Sequence, residues 1–124
     1  MKELLAIAAG GAVGASLRWW LAGTVQRLAG GAFPWGTFAV NALGSFALGF
    51  LFVWLLERSS AGELARLFIT VGMLGAFTTF STYSLESVRL VQSGALLLAA
   101  GNVLGQVAVC LPLTWLGVQL ARAL

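Results

Sequence analysis

The chain has 124 residues, 60% of them hydrophobic and 9% charged, with a net charge of +3 and a mean hydropathy of +0.96. A soluble domain carries about a quarter charged residues, so this composition excludes an ordinary water-soluble fold. There is no His, one Cys, and four Glu scattered at 3, 57, 63 and 86, so no zinc- or iron-type cluster can form and only a Ser with a lone Lys or Glu remains as a formal nucleophile and base. The positive charge is too small and dispersed for a nucleic-acid interface, and no enzyme is expected.

Four stretches approach the roughly 20 apolar residues that cross a bilayer, and one membrane domain over 1–124 is expected. The periodicity is helical or apolar all round, not the alternation of a membrane barrel. The first span covers about 4–25. Gly10, Gly14 and Arg18 fall on one helical face of it, which suits a packed interface better than a cleaved leader, and Lys2 is offset by Glu3. Snorkelling toward the headgroups accounts equally well for Arg18.

The second span, about 34–56, contains no Asp, Glu, Lys or Arg. Asn41, Ser45 and Gly49 recur every four residues along it. A polar linker, 57–66, follows. The third span covers about 67–89, its apolar run ending at Leu85 one residue before Glu86. Five of the seven residues from Thr78 to Ser84 are Ser or Thr, with Gly72 and Gly75 just upstream. Gly and Thr weaken a helix, and hydroxyls can satisfy released backbone groups. A break near Gly75 to Thr79 is one expectation, an unbroken helix with hydroxyls bonded to preceding carbonyls the other. Broken backbone survives in a membrane only where it is buried or lines a cavity. Phe80 and Tyr83, three apart, share a face just beyond. Their positive ring edges would favour an anion and their faces a cation.

The fourth span, about 94–121, carries Asn102, Gln106, Cys110 and Thr114 as a winding polar stripe. These polar faces serve either interhelical hydrogen bonding or an ion track. Near absence of buried cations suits conduction, because a fixed ammonium or guanidinium would trap a small anion. Four spans place both termini and the 57–66 linker on one side with Lys2, Arg58, Arg66 and Arg122. The other side carries Arg27 and Arg89, with Arg18 if it snorkels that way. So slight an excess permits insertion in both orientations, and hence an antiparallel dimer.

Residues 75–83, Gly-Ala-Phe-Thr-Thr-Phe-Ser-Thr-Tyr, resemble the Thr-Thr-Phe-Ser-Thr signature of the Fluc (CrcB) fluoride channels. So do Gly10 to Arg18, and Gly36-Thr37 to Asn41 with Gly44-Ser45. The resemblance runs through essentially the whole chain. It implies an all-α membrane protein of four transmembrane helices with the third broken near its middle, assembled as an antiparallel dual-topology homodimer in the bilayer of a bacterial inner membrane. It further implies passive export of fluoride ion through two pores, and a structural Na+ that is not transported. Position by position, Asn41 would contact the pore, Phe80 and Tyr83 would form the aromatic box with Tyr83 in place of a second Phe, and Ser81, Thr82 and Thr114 would continue the polar track. The backbone carbonyls of Gly75 and Thr78 would bind sodium. Two rivals remain. A small four-span multidrug/proton antiporter needs a mid-span carboxylate, and the apolar runs contain none. A non-transporting assembly subunit would leave the hydroxyl-rich motif unexplained.

Overall fold

The computed structural model describes residues 1–124, the side chain of Arg58 apart. It is all-helical. Helix α1 spans Lys2–Ala29, α2 Trp35–Val53, α3 Glu63–Arg66, α4 Gly75–Phe77, α5 Phe80–Gln92 and α6 Leu96–Ala123. π-wound turns Trp54–Arg58 prolong α2, and further π-wound turns Leu67–Leu74 join α3 to α4. Four helical runs, Lys2–Ala29, Trp35–Glu57, Glu63–Gln92 and Leu96–Ala123, are long and apolar enough to cross a membrane. The protein is a multi-pass membrane protein.

Glycines make the turns and set the depth of packing. Gly30, Gly31 and Gly94 take φ of 66°, 76° and 80°, the left-handed region that side chains disfavour. Between α1 and α2, the Gln26 amide donates to the carbonyls of Gly31 (3.3 Å) and Phe33 (3.1 Å), and accepts from the Gly36 N–H (3.1 Å). This ties the start of α2 to α1. Within the bundle, Gly10 and Gly14 of α1 lie against the Phe68 and Met73 carbonyls, so that a Cβ at either would overlap backbone. Gly49 and Gly117 make the same kind of contact between α2 and α6, against Thr114 and Phe46. Lipid tails are as apolar as leucine, so close backbone approach rather than water exclusion drives such packing.

The third span changes partner part-way along. Its π-wound turns and α4 pack on α1, whereas α5 packs on α6. The change falls at Thr78 (φ −85°, ψ 158°) and Thr79 (φ −152°, ψ 111°), both extended. The chain bends there. The helix resumes because Thr79 is an effective N-cap, its Oγ1 accepting from the Thr82 N–H at 3.2 Å.

The 57–66 linker is shorter than its charges imply. Helical winding continues through Glu57 and restarts at Glu63, beyond an extended Gly62. An exposed ion pair, Arg122 to Glu57 at 3.5 Å, places the end of α6 beside the end of α2. The third helix also runs further than its apolar stretch, to Gln92, so Glu86 lies well inside α5. Glu86 thus sits within two turns of the C-terminal end of the third helix, away from the middle of the span. Mixed polarity along α5 hides a helix that a hydropathy reading ends at the first charge.

Candidate functional site

The bend is held from outside by one side chain. Asn41 of α2 is buried, with its Oδ1 accepting from the Thr79 N–H at 2.7 Å and its Nδ2 donating to the Thr79 carbonyl at 3.0 Å. The amide thus takes the place of the helical partners that extended dihedrals remove, as buried backbone polar groups require. Its remaining N–H goes to Gln106 Oε1 of α6 at 2.7 Å. Both amide hydrogens of Asn41 are therefore engaged within the chain, which gives it the task of holding the bend.

Four carbonyls, those of residues 75–78, lose their ordinary α-helical donors at the same place, because the extended Thr78 and Thr79 interrupt each of those turns. In a continuous helix the Thr79 N–H would bond the Gly75 carbonyl and the Thr82 N–H the Thr78 carbonyl. The first is on Asn41 and the second on Thr79 Oγ1. Gly75 and Thr78 are the first and last of the four, and theirs are the carbonyls for which the sequence resemblance implies a cation.

Beside the bend lies an open groove of about 350 Å³, lined by Asn41, Ser45, Leu48, Thr78, Thr79, Phe80, Tyr83, Gln106, Val107, Cys110, Leu111 and Thr114. None of these residues carries a formal charge. The groove brings together Asn41, Phe80, Tyr83 and Thr114, from α2, α5 and α6. The Phe80 ring is 78% exposed, and its only close aromatic neighbour is Tyr83, at 5.1 Å between centroids with planes tilted by 53°. Tyr83 is buried and its phenol donates to the Val103 carbonyl at 3.2 Å, anchoring the ring to α6. Thr114 donates back to the Cys110 carbonyl at 3.0 Å.

Ser81 and Thr82 stand apart from that groove. Ser81 is exposed, with its Oγ 3.3 Å from Thr79 Oγ1. Thr82 accepts from Thr79 Oγ1 at 2.9 Å and faces a second groove of about 550 Å³ with Arg18, Trp19, Arg27, Thr37, Val40 and Glu86. Thr79 lines both grooves. Gly10 and Gly14 make the α1 contact described above, while Arg18 borders this second groove.

The partners of three polar residues become visible only between elements. Gln106 pairs with Asn41 across helices; Thr79 caps α5; Glu86 accepts from Thr37 Oγ1 at 2.8 Å, with its other oxygen buried and unpartnered. The four-residue spacing of Asn102 and Gln106 was the available signal for the first.

Comparison with known proteins places this arrangement in context. The family profile described as "CrcB-like protein, Camphor Resistance (CrcB)" matches residues 5–118. A protein of Geobacter sulfurreducens named "Fluoride-specific ion channel FluC" is 48% identical over 124 residues, the full length of both chains. One of Geotalea uraniireducens bearing the same name is 46% identical, again over the whole of both. A third, from Magnetococcus marinus, is 47% identical over 116 residues, 94% of each chain.

Proposed function

This chain belongs to the CrcB family, and on that footing we propose that it is a fluoride-selective passive ion channel that lowers cytoplasmic fluoride. The observation that carries the reading is the bend at Thr78 and Thr79, which sets an exposed phenylalanine beside an uncharged groove of mixed polar and apolar lining. Fluoride is small and strongly hydrated, so a path must offer replacements for water. Ring edges and hydroxyls offer weak ones, and weak, multiple sites let the ion leave. We assign the pathway to Phe80, Tyr83 and Thr114 of this groove, with Asn41 acting through the bend it holds, and extend it past the bend by Ser81 and by Thr82 on the second groove.

The working unit is an antiparallel homodimer in the bacterial inner membrane, with two pathways. Its support is surface. The chain exposes 7319 Å², where a compact chain of its mass exposes about 6,300 Å². The near-even division of arginines between the two sides supports dual topology. A structural sodium fits the chemistry of the bend, because the carbonyls of Gly75 and Thr78 have lost their helical donors and are hard oxygen ligands of the kind that alkali ions take. Bound there, the ion would neutralise carbonyls that otherwise cost several kcal/mol each in hydrocarbon.

Glu86, partly buried within α5, favours one second reading: proton-coupled exchange. Reconstitution in liposomes with a fluoride electrode separates the two. Channel activity gives fast fluoride efflux that requires valinomycin to carry compensating potassium, with chloride retained. Efflux that ignores valinomycin but follows an imposed pH gradient would establish exchange instead, and no efflux from folded protein would leave an assembly subunit.

A further inference from the structure

Four buried side chains form a row of hydrogen bonds that all run the same way. The Thr79 N–H donates to Asn41 Oδ1 (2.7 Å), Asn41 Nδ2 to Gln106 Oε1 (2.7 Å) and Gln106 Nε2 to Asn102 Oδ1 (3.0 Å). Asn102 Nδ2 then donates to Ser87 Oγ (2.9 Å), and Ser87 Oγ to the Tyr83 carbonyl (2.8 Å). Asn102 is wholly inaccessible, and Gln106, Asn41 and Ser87 are 5%, 8% and 8% exposed. The row leaves the backbone one residue before Phe80 and returns to it at Tyr83. It therefore brackets the two aromatic rings from behind.

Its direction is set at one end. The Thr79 N–H is a fixed donor and the Thr79 carbonyl a fixed acceptor, so Asn41 can satisfy both in one amide orientation only. That orientation turns an Asn41 N–H toward α6, where it needs an acceptor. Gln106 supplies Oε1 and passes its own N–H on to Asn102. Reversing the Gln106 amide would set N–H against N–H and oxygen against oxygen, losing both bonds. Aligned bonds in a low-dielectric interior polarise one another, and a gap in such a row strands a buried donor.

We propose that Gln106 is a positioning residue for fluoride conduction: it fixes the orientation of the Asn41 amide, and through it the bend and the Phe80–Tyr83 pair. It meets no ion. This rests on the channel reading of the same groove, so the experiment carries a readout independent of flux. Gln106→Met keeps the length and removes both bonds; Gln106→Glu, measured at a pH low enough to keep it protonated, keeps an oxygen facing Asn41 and an O–H facing Asn102 Oδ1. Each is reconstituted for fluoride efflux, checked for the parent's oligomeric size, and labelled with 15N-threonine so that the Thr79 amide resonance reports its bond to Asn41.

The expected result is a loss of about tenfold or more in flux for Gln106→Met, the scale of one stranded buried donor, with the Thr79 resonance displaced. Gln106→Glu recovers flux and resonance toward the parent. Parental flux in Gln106→Met overturns the proposal, and so does a Thr79 resonance that stays in place in that variant, whatever the flux. If the parent itself conducts no fluoride, the channel reading falls, while the Thr79 comparison still decides the row. Should Gln106→Met fail to assemble, Ser87→Ala trims the far end with little change in volume. A displaced Thr79 resonance there supports the row and an unmoved one overturns it.

Discussion

In a Phe80→Ile variant the chain is expected to fold and to keep the parent's oligomeric size while fluoride flux is lost. The structural cost follows from exposure. Full burial of such a side chain contributes about 1.5–3 kcal/mol, and the ring is 78% exposed in the protomer, so the burial at stake is about 0.5 kcal/mol. The tilted pair with Tyr83 adds about 0.5–1.5 kcal/mol. Isoleucine regains part of the burial, which leaves a protomer destabilised by about 1 kcal/mol. The functional cost is of another size. Isoleucine has no positive ring edge, and a hundredfold loss of flux needs a barrier higher by about 2.7 kcal/mol. Two measurements separate these effects: size-exclusion chromatography with a melting curve in detergent, and fluoride efflux from liposomes. Expected are an unchanged oligomer, a melting point within a few degrees of the parent's, and efflux indistinguishable from empty vesicles. Parental efflux from the assembled variant would refute the aromatic edge as part of the pathway.

Three further perturbations test the frame around that ring. Gly14→Val sets a side chain into the Met73 carbonyl and is expected to cost about 3 kcal/mol, whereas Gly11→Val, with nothing within 4 Å of its Cβ, is expected to be neutral; thermal unfolding of the pair checks this. Tyr83→Phe gives up the 3.2 Å bond to Val103, about 1 kcal/mol, and should melt lower while keeping efflux near the parent's, since the ring edge remains. Exchange of sodium for N-methylglucamine should lower the melting point, because an ion bound only by the assembled protein stabilises it by about 2.7 kcal/mol at a hundred times its Kd; identical melting in both salts would remove the ion from the bend.

Much of this molecule can be read from particular residues. Charge placement delimits the apolar stretches because a bilayer tolerates charges poorly, and the Gly10–Gly14 face announces a close contact because no other residue permits one. The Thr-Thr-Phe-Ser-Thr run signals an irregularity because its hydroxyls can replace helical bonds. Other features depend on relations between helices. That Asn41 meets Gln106 is fixed by the relative rotation and depth of α2 and α6, which neither helix encodes alone. Hydropathy alone would stop the third helix at Leu85, whereas backbone bonding carries it past Glu86 to Gln92. The π-wound turns at Leu67–Leu74 differ from α-turns by the residue each N–H reaches back to, a difference with no compositional mark.

The glycine contacts against carbonyls have a calorimetric consequence. Unfolding a soluble protein wets apolar surface, which raises the heat capacity and bends the stability curve so that cold as well as heat weakens the fold. Here, when α1 parts from the third span or α2 from α6, the separating surfaces enter hydrocarbon, not water. What is lost at Gly10, Gly14, Gly49 and Gly117 is backbone contact. Separation of these helices inside a bilayer is therefore expected to show little change in heat capacity, and a stability that varies almost linearly with temperature, with no loss on cooling.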